Sequence, residues 1–193
     1  MKVLIIFGHP NTDSFNGLIL SSVKRKLTEK GYEFIAKNLY DSNFNPMLTM
    51  GDFIKMKNGT VSDDVAIEHL DIGWAEIILF IYPVWWSGAP AIVKGWFDRV
   101  FTEGFAFTYK TDGSHEGLLK DKQALVFSTS AMTQKEMEQQ GLAKAMEDIT
   151  VKGIFNFCGI TNVTFRNFYE VPDTDNQNRN QMLADVENLI NGL

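Results

Sequence analysis

In the strand candidate Glu76–Tyr82, the stretch Ile77-Ile78-Leu79-Phe80-Ile81-Tyr82 is apolar at every position and has no face to turn toward water. It is too short for an ordinary helix, and Pro83, which has no N–H for a ladder, ends it. A strand that is apolar on both faces belongs in a parallel sheet with helices packed on each side. Val3–Phe7 reads the same way, and Glu33–Leu39, Ala124–Thr129 and Asn162–Phe168 are further short strands. Between them the period changes. From Ser14 to Lys30, Phe15, Leu18, Ile19, Val23 and Leu27 fall on one helical face, and Gly31 ends that helix. Asp63–Gly73 reads as helix, and Pro90 opens another through Val93, Trp96, Phe97 and Val100. Residues 134–150 read as a single helix with Leu142, Ala145, Met146 and Ile149 on one side, and Met182, Leu183, Val186, Leu189 and Ile190 mark the last. Residues 41–62 show no period and are expected to be a long loop with one short helix.

Strands alternating with helices imply right-handed crossovers and a mainly parallel sheet. Five strands favour an α/β, flavodoxin-like sheet of order 2-1-3-4-5 with helices on both faces over a six-stranded dinucleotide fold. The 193 residues make one domain, 1–193, with no repeat or linker. A net charge of −6 argues against a nucleic-acid surface or an anionic membrane surface as partner. No stretch approaches the roughly 20 apolar residues of a membrane span. The short apolar run after Met1 is read as a strand rather than a signal peptide, so a cytoplasmic protein is expected. The single Cys158 lies among apolar neighbours and reads as a buried thiol. With three scattered histidines it gives no metal-binding spacing.

In such a sheet ligands lie beyond the carboxyl ends of the strands. The loop after the first strand, Gly8-His9-Pro10-Asn11-Thr12-Asp13-Ser14-Phe15-Asn16, lacks a Gly-x-Gly-x-x-Gly fingerprint. It sets hydroxyl and amide groups before a helix start, where free N–H groups attract phosphate, though Ser14 or Asp13 serves equally as an N-cap. His9 fits a ligand contact or a hydrogen-bonded core position alike. After the third strand, Tyr82-Pro83-Val84-Trp85-Trp86-Ser87-Gly88-Ala89-Pro90 carries adjacent tryptophans whose rings cannot both enter the core. At least one should line a surface cleft suited to a planar heteroaromatic ligand, the alternative being packing over a neighbouring loop or subunit. Gly88 lets backbone pass close to such a ring. Ser128-Thr129-Ser130-Ala131, at the end of the fourth strand, offers small and hydroxylic groups of a kind common in α/β proteins.

With these segments, the chain resembles the flavodoxin-fold NAD(P)H:quinone oxidoreductases, the DT-diaphorase family and its small bacterial relatives. The likeness is carried by Ser14-Phe15-Asn16, by Leu39 through Pro46, and most strongly by Pro83 through Phe101, with Trp86, Gly88, Pro90 and Lys94-Gly95-Trp96-Phe97-Asp98-Arg99. Phe105-Ala106-Phe107-Thr108-Tyr109 and Phe157-Cys158-Gly159 add to it. The resemblance implies a flavin, FAD or FMN, one per subunit at a homodimer interface. His9, Ser14, Phe15 and Asn16 match positions at its phosphate-bearing tail. Pro83, Val84, Trp85, Trp86 and Ser87 match the loop along the isoalloxazine, and Ser128, Thr129, Ser130 and Ala131 the loop at its other edge. Phe107, Tyr109 and Phe157 match residues that the partner subunit contributes to the nicotinamide and quinone pocket, with Trp86 as its floor.

The implied activity is two-electron, ping-pong hydride transfer from NAD(P)H through flavin N5 to a quinone-like acceptor, with no catalytic side chain required. There are departures. The family commonly has Thr-Thr-Gly-Gly at Ser128–Ala131, and residues 132–137 lack the tyrosine and histidine that face the flavin in DT-diaphorase. The 46–75 segment is also shorter than in the animal enzymes, which removes part of a wall around an adenine. An alternative is a flavin-binding electron carrier or a redox-regulatory accessory subunit, such as those of potassium efflux systems. A second is an α/β interaction module that has lost its cofactor.

Overall fold

The computed structural model describes residues 1–193. Five strands form one parallel sheet: β1 (Lys2–Phe7), β2 (Glu33–Asn38), β3 (Ile77–Pro83), β6 (Gln123–Thr129) and β7 (Asn162–Phe168). Their order is β2-β1-β3-β6-β7, which counts as 2-1-3-4-5 over these five strands. The apolar run is the middle strand, and all seven of its residues are buried. Alternate side chains of β1, β3 and β6 enter two separate cores. Val3, Ile5, Ile77, Leu79, Leu125 and Phe127 meet α1 (Phe15–Glu29) and α7 (Asn176–Asn191) on one face. Leu4, Ile6, Ile78, Phe80 and Val126 meet Ile72 of α3 (Asp63–Trp74) and Trp96, Phe97 and Val100 of α4 (Ala91–Val100) on the other. Each fully buried side chain of this kind contributes about 1.5–3 kcal/mol, so the uninterrupted apolar runs have a direct physical cause.

The expected short helix in residues 41–62 is α2 (Met50–Lys57), opened by a capping box in which Thr49 and Asp52 each bond the other's backbone. The segment from 45 to 64 is tied to α4 by Arg99. Its guanidinium donates to the Asn45 carbonyl at 2.8 Å, to Asp64 at 2.5 and 3.1 Å, to Ser62 at 3.0 Å and to Asp52 at 3.3 Å.

Two features differ from the sequence reading. The single helix expected over 134–150 is broken at Gly141, whose φ of +73° cannot lie inside a helix, giving α5 (Gln134–Gln139) and α6 (Leu142–Asp148). A π-helical stretch, Ile149–Asn156, then follows without a break. Secondly, Phe107–Tyr109 (β4) and His115–Gly117 (β5) pair antiparallel as a small hairpin outside the main sheet. No helix is long and apolar enough to cross a membrane.

Candidate active site

The loop after β1 is closed by its own side chains. Asn11 N–H donates to His9 Nδ1 at 3.0 Å, Asp13 N–H to Asn11 Oδ1 at 2.8 Å, and Ser14 Oγ–H to the Asn11 carbonyl at 2.7 Å. Ser14 is the N-cap of α1 and accepts from Gly17 N–H at 3.3 Å. The loop lies flat on the helix because residue 17 is glycine: a Cβ there would sit 1.7 Å from the Thr12 carbonyl oxygen. The first N–H groups of α1, on Phe15 and Asn16, therefore face the carboxyl end of the sheet without helical partners. His9 is half-buried, Phe15 buried, and Asp13 exposed to water.

Asn16 is only 3% exposed. Its Nδ2 donates to Thr129 Oγ1 at 2.8 Å, which joins the first loop to the end of β6. Its Oδ1 is buried and has no partner in the chain. An acceptor left in that condition costs about 1–3 kcal/mol, so the position has a use for a donor that the chain itself does not supply.

Pro83 is the last residue of β3, paired with Thr129 and buried, and Val84 N–H donates to the Thr129 carbonyl at 2.7 Å. Trp85 and Gly88 then bond each other in both directions, Trp85 N–H to the Gly88 carbonyl at 2.9 Å and the reverse at 3.2 Å. This closes a two-residue turn with Trp86 at φ +51° and Ser87 at φ +57°. Such turns favour Asn or Gly at both tip positions, and here a tryptophan and a serine are held in the left-handed region. Trp86 is fully exposed at 104% and Trp85 is 45% exposed, so both rings stand clear of the core. A Cβ at Gly88 would meet nothing within 4 Å, leaving open space over the turn.

The third loop is built differently from the first two. Ser128 is fully buried and its hydroxyl donates to Asn167 Oδ1 at 2.8 Å, while Asn167 Nδ2 donates to Ser130 Oγ at 2.9 Å. Ser130 N–H donates to the Phe168 carbonyl at 2.8 Å. Both serine hydroxyls are thus engaged with β7, and Ala131 alone of the four is exposed. Asn167 was not singled out from sequence, because its role depends on the register of β6 against β7.

Phe107, Tyr109 and Phe157 come together elsewhere. Phe107 meets Tyr109 edge-on at 5.7 Å and Phe157 at 5.0 Å. The hairpin can lie against the Phe157 segment because Gly117 has no side chain; a Cβ there would sit 2.1 Å from Gly159 N. His115, directly across from Tyr109, stacks flat on Phe157 at 4.1 Å with an interplanar angle of 11°. Sequence reading missed it. This platform precedes β6 and β7 in the chain and lies at their amino ends, whereas the His9, Trp86 and Ala131 loops follow strands at their carboxyl ends.

The apolar hollow under the Trp85–Gly88 turn, walled by Tyr82, Val84, Phe97 and Met146, holds about 240 Å³. That is below the roughly 300 Å³ of ordinary ligand pockets. Larger grooves of about 650 and 700 Å³ run along the edge strands β7 and β2, with mostly polar and charged walls. Uncovered sheet edges leave grooves of this kind. Cys158 is buried, and desolvation pushes its thiol up to about 12, which keeps it out of redox or nucleophilic chemistry.

A doubly wound sheet with three converging loops at its carboxyl end defines a flavodoxin-like protein, and the chain belongs to that family, whose model matches residues 1–190. It is most usefully compared with the family's oxidoreductases. It is 38% identical over 185 residues to an uncharacterized NAD(P)H oxidoreductase of Haemophilus influenzae, covering 95% of this chain and 91% of the relative. It is 30% identical to NAD(P)H dehydrogenase [quinone] 1 of Rattus norvegicus, covering 94% of this chain and 73% of that protein. Among solved structures, an NAD(P)H:quinone oxidoreductase from Methanothermobacter marburgensis superposes with a TM-score of 0.89 at 31% identity, covering 98% of this chain and 95% of that one. The chain is an oxidoreductase.

Proposed function

We propose that this protein is a flavin-dependent NAD(P)H:quinone oxidoreductase that works as a homodimer. The observation that carries the reading is Asn16: a buried amide with a free acceptor, beside the unpaired N–H groups of α1 and joined through Thr129 to the start of the loop with two exposed tryptophans. The two ends of this arrangement suit the two ends of a flavin. Free N–H groups at a helix start, with its positive dipole end, favour a phosphate. Asn16 Oδ1 would accept from a hydroxyl of the ribityl chain, and the Trp85–Gly88 turn would lie along the ring. When bound, the flavin (FMN or FAD) supplies reversible two-electron chemistry between a nicotinamide and a quinone in alternating half-reactions.

The residues of this chain then orient the reactants and exclude water. Trp86, lifted off the core by its turn, offers an aromatic face for the acceptor. The Phe107–Tyr109–Phe157 platform lies at the other end of the same sheet, which supports a second wall supplied by another copy. Two copies packed about a two-fold axis bring the platform of each over the tryptophan turn of the other. The small hollow in the single chain supports this reading, since half a pocket cannot enclose a planar ligand.

The carrier or regulatory reading draws support from Ser130, which sits where the family commonly has glycine and is anchored to Asn167. One experiment separates the readings: the visible spectrum of the purified protein with FMN or FAD, followed by anaerobic NADH or NADPH and then a quinone. Bleaching by the nicotinamide and recovery on quinone addition is the expected result, and it identifies the cofactor and donor. Bound flavin that resists bleaching moves the assignment to a carrier or regulator. A protein that binds no flavin refutes the proposal.

A further inference from the structure

We propose that His115 is the proton donor to the reduced acceptor. The inference rests on the quinone-reductase reading above. Reducing a quinone to a hydroquinone takes two electrons and two protons. NAD(P)H supplies both electrons and one proton as a hydride equivalent and leaves as NAD(P)+. The second proton must reach the other carbonyl oxygen from elsewhere. In the first loops Asp13 faces water, His9 Nδ1 is held by Asn11, and Ser128, Ser130 and Asn167 bond one another.

His115 has the geometry for the task. It is the cross-strand neighbour of Tyr109, so its ring and the rings of Phe107 and Tyr109 stand on one face of the hairpin. Stacking on Phe157 fixes the plane of the imidazole, and the residue is exposed, so its ring nitrogens are open to solvent or a ligand. Each of the other two histidines has one ring nitrogen engaged, His9 Nδ1 with Asn11 and His69 Nε2 with the Val100 carbonyl at 2.8 Å, while neither ring nitrogen of His115 is bonded. The charged groups around it are bound elsewhere. Glu116, on the opposite face of β5, holds Lys110 and Lys120, and Asp112 accepts from Ser114. A phenol is a much weaker acid than an imidazolium near neutral pH. In the step, the imidazolium N–H bond breaks, its proton forms the O–H bond of the hydroquinone, and the neutral ring, exposed to solvent, takes a proton back from water.

The test is His115→Gln, which keeps a planar polar group and removes the acid. The holoprotein is reduced with NAD(P)H and then mixed with tetramethylbenzoquinone or with ferricyanide, which takes electrons and no proton. We expect the quinone step to slow by about a hundredfold, the usual scale for a lost general acid. The ferricyanide step should change less than about threefold. A second reading needs no turnover: in oxidised protein without donor, tetramethylbenzoquinone shifts the ring resonances assigned to His115 in a proton–carbon NMR spectrum. Quinone and ferricyanide steps that fall together, a quinone step within about threefold of wild type, or unmoved resonances would each overturn the role of His115. If the wild-type protein binds no flavin or reduces no quinone, the underlying reading fails instead, and the role of His115 falls with it.

Discussion

Replacing Trp86 by glycine sets two effects of the same residue against each other. The backbone at Trp86 is held at φ +51°, and a left-handed conformation costs a non-glycine residue about 1–2 kcal/mol. Glycine removes that strain but adds about 0.5–1 kcal/mol of backbone freedom to the unfolded chain. The ring is fully exposed, so its removal takes away no buried contact. The net effect on the flavin-free protein is zero to about 1.5 kcal/mol of stabilisation, or up to about 3–6 °C in melting temperature for a domain of this size. Acceptor binding moves the other way. A ligand covering one face of the indole removes about 100 Å² from water, worth about 2.5 kcal/mol, and the loss of that face weakens binding by between about tenfold and a hundredfold. Calorimetric melting of the flavin-free protein and the KM for tetramethylbenzoquinone give the two numbers. A melting temperature lowered by several degrees would mean that another surface packs on Trp86 in solution, and an unchanged KM would remove its role in the acceptor site. Either result refutes the reasoning.

Asn16→Leu removes both the bond to Thr129 and the unpartnered acceptor. Flavin-free stability should stay within about 1 kcal/mol, while flavin affinity, read from fluorescence quenching, drops about tenfold or more. The guanidinium of Arg99 holds Asp64 down at about 2, below the usual carboxylate range. A carboxyl depressed in the folded state stabilises above its unfolded value near 3.8, and that contribution is lost as pH falls from there through about 2. Urea titrations between pH 5 and pH 2 should show that loss in the wild type and not in Asp64→Asn. Arg99→Ala leaves Asp52 and Asp64 without their partner and should cost about 3 kcal/mol, near the low end for a broken buried pair because Asp64 is partly open to water. Cys158 should react with a thiol reagent only in denaturant; rapid labelling of the native protein would contradict its burial.

The sheet was legible because its signal is local. An apolar run with no polar face, such as Ile77–Tyr82, has few places to go, and the helices announce themselves by period. The break in the helix expected over 134–150 had a mark, Gly141, that the periodicity argument passed over. The hairpin had one too: Asp112-Gly113 is a turn dipeptide, but three-residue strands are too short to show alternation. Missing the hairpin meant missing His115, since only the pairing of β4 with β5 sets it opposite Tyr109. The left-handed turn at Trp86 and Ser87 carries no signal in those residue types at all. Asn167 depends on register across two strands 39 positions apart in sequence at Ser128, which no local pattern records.

The placement of the tryptophan turn and the aromatic platform at opposite rims of one sheet has a genetic consequence. In a two-fold dimer a copy damaged at Trp86 still lends a sound platform to its neighbour, and a copy damaged at the platform still lends a sound turn. Two alleles, each inactive alone, should therefore complement one another when expressed in the same cell, because every mixed dimer holds one site assembled wholly from intact parts.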